Sequence, residues 1–455
     1  MSLTSRISSD WRRRHELRRF RLRVAVVFAV LLLAAGALAA LSSTQGPRIQ
    51  SVTANAEALV TQPGGVAELA FSRPIAEVAA SDITLEPVAE FTVESSGSRV
   101  VLRFATALRA ATEYRVTIEG VRGVAGGASG SVEATFETGA LTVETVTTSP
   151  TGEAVSVFST GVGSGAPQQL IEATGVREFV RIDDVVALVR DLDDERSALS
   201  VNAIDGTGVQ DFVLPEEGRI AQLGQVGTAL LFTLTSAVAD PLPAFDLTLM
   251  RTDLAADPTP TAVLGLDGEP IATRAWFPIP GTADILIAAR DGSVLRGDPS
   301  GLTPLVPVGQ YLDVYGMTPD GSGFVAADAF GPVLVDLATG ASTRITSSLI
   351  DGVEPYLGAV AMVDAERWVA KVAVPDVSGG FTTGIALDDG MTSTLIDLGG
   401  SGEAIADFRV SPGGQYLFVV LNQGSPGQPT TGPTLVVDLD TLTVQETLAG
   451  VDPQW

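Results

Sequence analysis

The chain has 455 residues, with 28 Lys or Arg against 54 Asp or Glu, one His, no Cys and a formal net charge of −26. Without cysteine there can be no disulfide, thiol nucleophile, thiolate metal site or lipid-modified cysteine anchor. The single histidine, His15, lies near the N-terminus, so the remainder has no imidazole for a catalytic triad, a zinc site or a proton relay.

Residues 1–23 carry eight Arg and two acids, Asp10 and Glu16, and are read as an Arg-rich cytoplasmic tail. The run Val24–Leu41 contains no charge. As a helix rising ~1.5 Å per residue it nearly spans a hydrocarbon core of about 30 Å. Arginines flanking a span stay on the cytoplasmic side. Residues 24–42 are therefore expected to form one transmembrane helix in the cytoplasmic membrane, N-terminus inside, with 43–46 as linker. The rival reading is a signal peptide cleaved near Ala39, after which the rest is secreted; the long apolar run and extended basic region argue against it. Arg18-Arg19-Phe20 matches a twin-arginine signal only weakly, because Arg21-Leu22 departs from that pattern.

With the tail's eight arginines and two acids set aside, 20 basic and 52 acidic residues remain. Such a surface repels nucleic acid and anionic lipid headgroups, so no nucleic-acid partner is expected. The 48 Gly and 26 Pro fall between short Val/Leu/Ala-rich runs, which reads as an all-β chain with tight turns. About 410 extracytoplasmic residues call for more than one domain.

Residues 47–139 alternate with period two. Tyr114, Val116 and Ile118 share one face against Glu113, Arg115, Thr117 and Glu119, and Val100, Leu102 and Phe104 oppose Arg99 and Arg103. One buried and one wet face per strand predicts a sandwich of about seven antiparallel strands. The order "AELAFSRPI", "SDITLEP", "VVLRFATALRAATEYRVTIEGVRGVAG", "ATFETG" resembles the bacterial Ig-like domain of the S-layer (SbsA) type. That resemblance implies a spacer or adhesion module and brings no catalytic residue with it. Tyr114 is read as a packing residue with a hydrogen-bonded hydroxyl.

Residues 140–455 repeat a unit: a Pro/Asp/Gly turn, an apolar strand, a loop and a strand ending in Asp. The clearest copies are "FRVSPGGQYLFVVL" at 408–421 and "GMTPDGSGFVAADAFGPVLVDLATG" at 316–340. Markers at Pro150, Asp184, Gln225, Gly281, Asp320, Ala365 and Gly413 lie 34 to 56 residues apart. That spacing fits a β-propeller of about seven blades at roughly 40–50 residues each. The segments resemble TolB-type and tryptophan–aspartate-type propeller repeats, which share an S-P-D-G turn before a buried strand. Ser411-Pro412-Gly413-Gly414 departs from it with Gly for Asp, and the copy at 318 has Thr for Ser. No Trp-Asp dipeptide occurs, so the TolB-type comparison is the better one. Val451–Trp455 reads as the opening of a further repeat, expected to pair with the first blade near 140–158 and close the ring.

No constellation of residues defines a reaction. Asp191-Leu192-Asp193-Asp194-Glu195 resembles half a calcium loop but lacks its central Gly and distant Glu, and is read as a solvated hairpin. Asp320–Gly323 and Asp388-Asp389-Gly390 are read as turns. Lys371 lies in the apolar strand "WVAKVAV" with no nearby Ser, and is expected to be part-buried beside an acid. Gly123–Gly130 lacks the Lys-Ser/Thr of a phosphate loop. No catalytic residue, metal ligand or cofactor is assigned. The expected function is a single-pass envelope protein whose Ig-like spacer presents the propeller as a non-catalytic scaffold for envelope proteins or cell-wall glycans. Trp276, Tyr311, Phe330 and Tyr356 are its candidate contact residues. A carboxylate-only glycosidase or lyase is the alternative, and would show three or more carboxylates converging at the propeller mouth.

Overall fold

The computed structural model describes residues 26–31, 33, 46–124, 126, 128–148, 155–163, 166–193, 195–205, 207–237, 243–254, 259–399, 404–422 and 433–455. Residues 26–31 and 33 are helical. The tail 1–23, most of the predicted 24–42 span and linker residues 43–45 lie outside the described residues. Among the described residues no helix is long and apolar enough to cross a membrane.

The chain divides into two compact units. One comprises residues 1–54, 67–103 and 114–136, and the other residues 55–66, 104–113 and 137–455. In the first unit seven strands form two antiparallel sheets. One orders Ile49–Ala54, Val66–Phe71, Arg99–Phe104 and Phe91–Ser96; the other orders Ile83–Glu86, Glu113–Val121 and Gly130–Glu137. Alternation sets burial: Leu69, Val100, Leu102, Val116 and Ile118 are fully buried while their sequence neighbours face outward. Tyr114 is buried and stacks on Phe136, ring centroids 5.5 Å apart.

The second unit is a β-propeller of seven four-stranded antiparallel sheets. In six blades the strands pair in sequence order from the axis outward. Their inner strands are Val176–Ile182, Gly218–Val226, Thr273–Pro278, Asp313–Met317, Tyr356–Met362 and Ala404–Val410, which head blades 2 to 7. The second strands hold the core, because each lies between two blades and is covered on both faces. Ala229–Ser236, Ile285–Ala289 and Gly323–Asp328 are almost continuously buried. This is why they read as unbroken apolar runs and not as alternating ones.

Blade 1 is assembled from both ends of this unit. Thr142–Thr148, Val155–Gly161 and Gln168–Ala173 take its second, third and outer places, and Val451–Gln454 supplies the inner strand by pairing with Thr142–Thr148. Trp455 lies against Phe418 of blade 7, ring centroids 5.2 Å apart, so the closing strand is gripped from both sides of the seam. Ring closure covers the inner edge of Thr142–Thr148. Six of the seven sequence markers fall at or beside turns between inner and second strands. Pro150 lies outside the described residues, between the second and third strands of blade 1, because the inner strand there comes from residue 451 onward.

Segments 55–66 and 104–113, read from sequence as part of the Ig-like stretch, belong to the propeller's unit. Val60, Ala110 and Leu141 share one buried cluster with Val162, Tyr416 and Trp455. Arg109 forms an ion pair with Asp440, and the Ala110 N–H donates to Gln415 Oε1 at 2.9 Å. A Cβ at Gly413 would overlap the carbonyl oxygen of Leu108. The Asp-to-Gly departure in the Ser411–Gly414 turn therefore makes room for this segment.

Deleting residues 451–455 removes the inner strand of blade 1 and the Trp455–Phe418 contact. The thermal midpoint of the propeller should fall by about 5 °C or more. An unchanged midpoint by calorimetry would show that closure does not stabilise the ring.

Candidate functional site

The ring has two ends. The turns between inner and second strands mark one, here the turn end. The entries to the inner strands, with the hairpins between second and third strands, mark the other, the entry end. Between them runs the axis, lined by seven inner strands.

Every inner strand has a register break against its second strand: at Arg177, Gln222–Leu223, Arg274, Tyr315, Gly358–Ala359, Ala406 and Asp452–Pro453. A bulge leaves an extra residue unpaired in the ladder, and its N–H and C=O need other partners. Side chains of a neighbouring blade supply bonds at some of these breaks and beside others. Glu178 of blade 2 accepts the Leu223 N–H of blade 3 at 2.8 Å. Arg177 donates to the Ile220 carbonyl and Gln222 to the Arg274 carbonyl. Trp276 returns a bond from Nε1 to the Gln222 carbonyl at 3.0 Å. Arg274 reaches the Tyr311 carbonyl at 3.4 Å and that of Leu312, at the entry to blade 5. Lys371 Nζ donates to the Ile405 carbonyl of blade 7 at 2.9 Å. Lys371 is thus an exposed residue whose bond is to backbone, not the part-buried Lys with an acidic partner expected from sequence.

Asp452 closes this series at blade 1. It sits in the left-handed region with φ 50°, which Asp tolerates at a bulge. Its carboxylate accepts from Gln454 Nε2 at 3.1 Å and from the Phe179 N–H of blade 2. The residue as a whole is half-buried, but Oδ2 has no exposed surface and no hydrogen-bond partner. Burial is the largest influence and pushes the carboxyl up to about 6; Arg409 opposes this and Glu178 adds to it. Near the turn end, Glu144 is buried and pairs with Arg181 at 2.9 Å; burial raises its pKa despite that pair.

The four candidate contact residues separate into two kinds. Trp276 is half-buried and packs on the blade 3–4 core, its indole seated over Gly224, where a Cβ would lie 2.6 Å from the ring. Tyr311 packs edge-on to Phe324 at 5.6 Å and lies over Gly309. Phe330 and Tyr356 are 87% and 65% exposed. Both stand at the entry end, Phe330 in the second-to-third hairpin of blade 5 and Tyr356 at the start of the blade 6 inner strand. Sequence reading missed Phe381, 58% exposed and edge-on to Tyr356 at 5.8 Å.

The acidic clusters serve local structure. Asp193 accepts the Glu195 and Arg196 N–H groups at 3.0 and 2.8 Å and pairs with the Arg196 side chain, whose bond holds the carboxyl below its usual range. Asp388 is fully buried, accepting the Ser348 and Gly390 N–H groups, both at 2.8 Å. Among the described residues no three His, Cys, Asp or Glu stand close enough to hold a metal ion.

No known family model matches the chain, nor does any curated protein. Solved structures with similar folds include the propeller domain of the Trilobed protease of Pyrococcus furiosus (8% identity, 77% of this chain and 96% of that chain, TM-score 0.39). TolB of Acinetobacter baumannii is another (13% identity, 69% and 82%, TM-score 0.35), as is a putative 6-phosphogluconolactonase of Bacteroides fragilis (13% identity, 69% and 96%, TM-score 0.41). With similarity at this level, the propeller assignment rests on the chain's own strand pairing.

Asp452 gives a pH signature. Its folded pKa of about 6 lies above the ordinary carboxylate value of about 3.9, so the fold favours the protonated form. Its contribution is present below pH ~4 and is lost as pH rises through ~6. Turn aspartates held low by hydrogen bonds, among them Asp291 and Asp376, act in the opposite sense and lose their contribution as pH falls below ~4. Asp452→Asn should raise the thermal midpoint at pH 7.5 by a few degrees relative to its effect at pH 4.5. Equal shifts at both pH values would mean that Asp452 is ionised throughout.

Proposed function

We propose that this is a single-pass cell-envelope protein, held in the cytoplasmic membrane by residues 24–42, in which an Ig-like spacer of the S-layer type presents the propeller as a non-catalytic scaffold for envelope proteins or cell-wall glycans. The arginines of the tail beside the charge-free Val24–Leu41 run support the anchor. The strand alternation of 47–139 and its two antiparallel sheets support the spacer. The observation that carries the scaffold role is the division of labour in the propeller. Polar side chains at the inner-strand bulges bond to neighbouring blades, whereas Phe330, Tyr356 and Phe381 stand exposed at the entry end. A propeller alone names no ligand, so the role rests on these residues and not on the fold.

One observation favours the second reading, a carboxylate-dependent glycosidase or lyase. Asp452 has a raised pKa beside Glu178, and a carboxyl that stays protonated near pH 6 can act as a general acid. Against it, Glu178 already accepts a backbone N–H, and the Asp452 Oδ2 atom has no exposed surface.

In-cell crosslinking of the full-length protein, followed by membrane fractionation and identification of adducts, tests the scaffold. Membrane association with reproducible envelope-protein or glycan adducts is the expected result. Recovery in the soluble fraction with no adducts, together with a polysaccharide-cleaving activity lost in Asp452→Asn, would replace it with the enzyme reading.

A further inference from the structure

Resting on the scaffold reading, we propose that the entry end of blades 5 and 6 is the docking surface, and that it takes a basic protein segment with an aromatic or aliphatic anchor residue. Tyr356 and Phe381 meet edge to face at 5.8 Å, and Val377, at the tip of the hairpin that leads into Phe381, is fully exposed. In blade 5, Phe330 and Leu312 are exposed at the same end. Isolated apolar residues are ordinary on a surface, but a group of this size gathered at one end of two adjacent blades marks an interaction site.

Charge selects the occupant. The segments that form this end, residues 311–313, 328–331, 344–356 and 375–381, contain five acids: Asp313, Asp328, Asp351, Glu354 and Asp376. Their only base is Arg344, which is bound to Asp328 at 2.6 Å, and Arg274 of blade 4 reaches the Tyr311 and Leu312 carbonyls at their edge, so five acids stand against two arginines. The rim around the apolar residues is therefore negative and complements a Lys/Arg-bearing partner. The same charge repels anionic lipid headgroups. The two aromatic rings meet edge to face, so they do not form the single flat platform on which a sugar stacks, whereas a side chain can wedge against Val377 and the ring edges.

The opposite end is taken by the chain itself. Residues 55–66 and 104–113 reach the turn end at blades 7, 1 and 4, through the Arg109–Asp440 pair, the cluster of Val60, Ala110 and Leu141, and Pro63 beside Gly281. The entry end carries the apolar residues with nothing from this unit laid over Tyr356, Val377 or Phe330.

The test is selection of phage-displayed random dodecapeptides on the full chain in detergent, followed by affinity measurement on synthetic copies. Enriched peptides should carry at least two Lys or Arg around an aromatic or leucine. Their affinity should fall about tenfold or more in Tyr356→Ser/Phe381→Ser and severalfold in Asp351→Asn/Glu354→Gln, and should weaken between about 50 and 300 mM salt. Both variants change exposed residues and should keep the parent thermal midpoint. Enriched peptides that are acidic or neutral, peptides that bind both variants at parent affinity, or no enrichment overturn the proposal. Glycan-array binding lost in Tyr356→Ser/Phe381→Ser would also overturn it, in favour of a sugar. Crosslinked envelope partners that map elsewhere on the propeller would leave the scaffold reading standing while this surface fails.

Discussion

The inner-strand bulge is the constraint on which the propeller depends. Seven strands meet around one axis, and each shifts register once against its second strand. A shift costs ladder bonds, and an unpaired backbone group near the axis carries a penalty of ~1–3 kcal/mol. At two of the shifts the chain answers with side chains from adjacent blades, Glu178 to Leu223 and Gln222 to Arg274, and beside others Lys371 bonds to Ile405 and Asp452 to Phe179. Several polar residues of the inner strands, among them Arg177, Glu178, Gln222 and Arg274, are thus bound up in blade-to-blade seams. Where an acid does sit at a seam without full satisfaction, as at Asp452, burial moves its pKa and couples ring closure to pH.

Much of the architecture is written in the apolar pattern. Runs such as Tyr416–Asn422 are buried on both faces between blades, and that condition erases alternation. The period-two strands of 99–104 and 113–121 have one covered face and keep it. The repeat phase was less legible. Pro150 shares the sequence marker of the other repeats, but in blade 1 it follows the second strand in the chain, since the inner strand arrives from residue 451. Pairing across about 300 residues, Val451 with Val146, fixes that phase; the sequence showed it only at the far end, where Val451–Trp455 reads as the opening of a further repeat.

Of the candidate site, the exposed aromatics could be found but not sorted. Trp276 and Tyr311 share with Phe330 and Tyr356 a position near turns and strand ends, and composition does not distinguish them. The distinguishing signal was Gly224 and Gly309, small residues over which the two packed rings lie. Trp276 reaches its glycine only through the fold, across a blade seam, whereas Gly309 stands two residues before Tyr311. The bulges left no sequence mark because Arg177, Gln222, Gly358, Ala406 and Asp452 share no residue type. What they share is a position in a curved ladder. Asp388 was read as an ordinary turn acid, yet it is fully buried under bonds from Ser347, Ser348 and Gly390.

The acidity and the asymmetry of the propeller have a common physical reading. Many aspartates stand where hairpins turn, and Asp291, Asp336 and Asp376 each accept a Ser or Thr hydroxyl together with a backbone N–H two or three residues on. Acid is thus consumed as turn chemistry all around the ring, and its charge is a by-product that falls on both ends alike. The turn end offsets part of that charge with Arg109 on Asp440 and Arg181 on Glu144. At Gly413 it also gives up the turn acid, because a side chain there would collide with Leu108. The entry end of blades 5 and 6 offsets a single acid, by Arg344 on Asp328. It keeps its other carboxylates and adds exposed apolar side chains among them, with Arg274 of blade 4 held on the backbone at the entry to blade 5. One end of the ring is fitted to this chain's own segments, and the other retains the charge and apolar surface that a basic partner would complete.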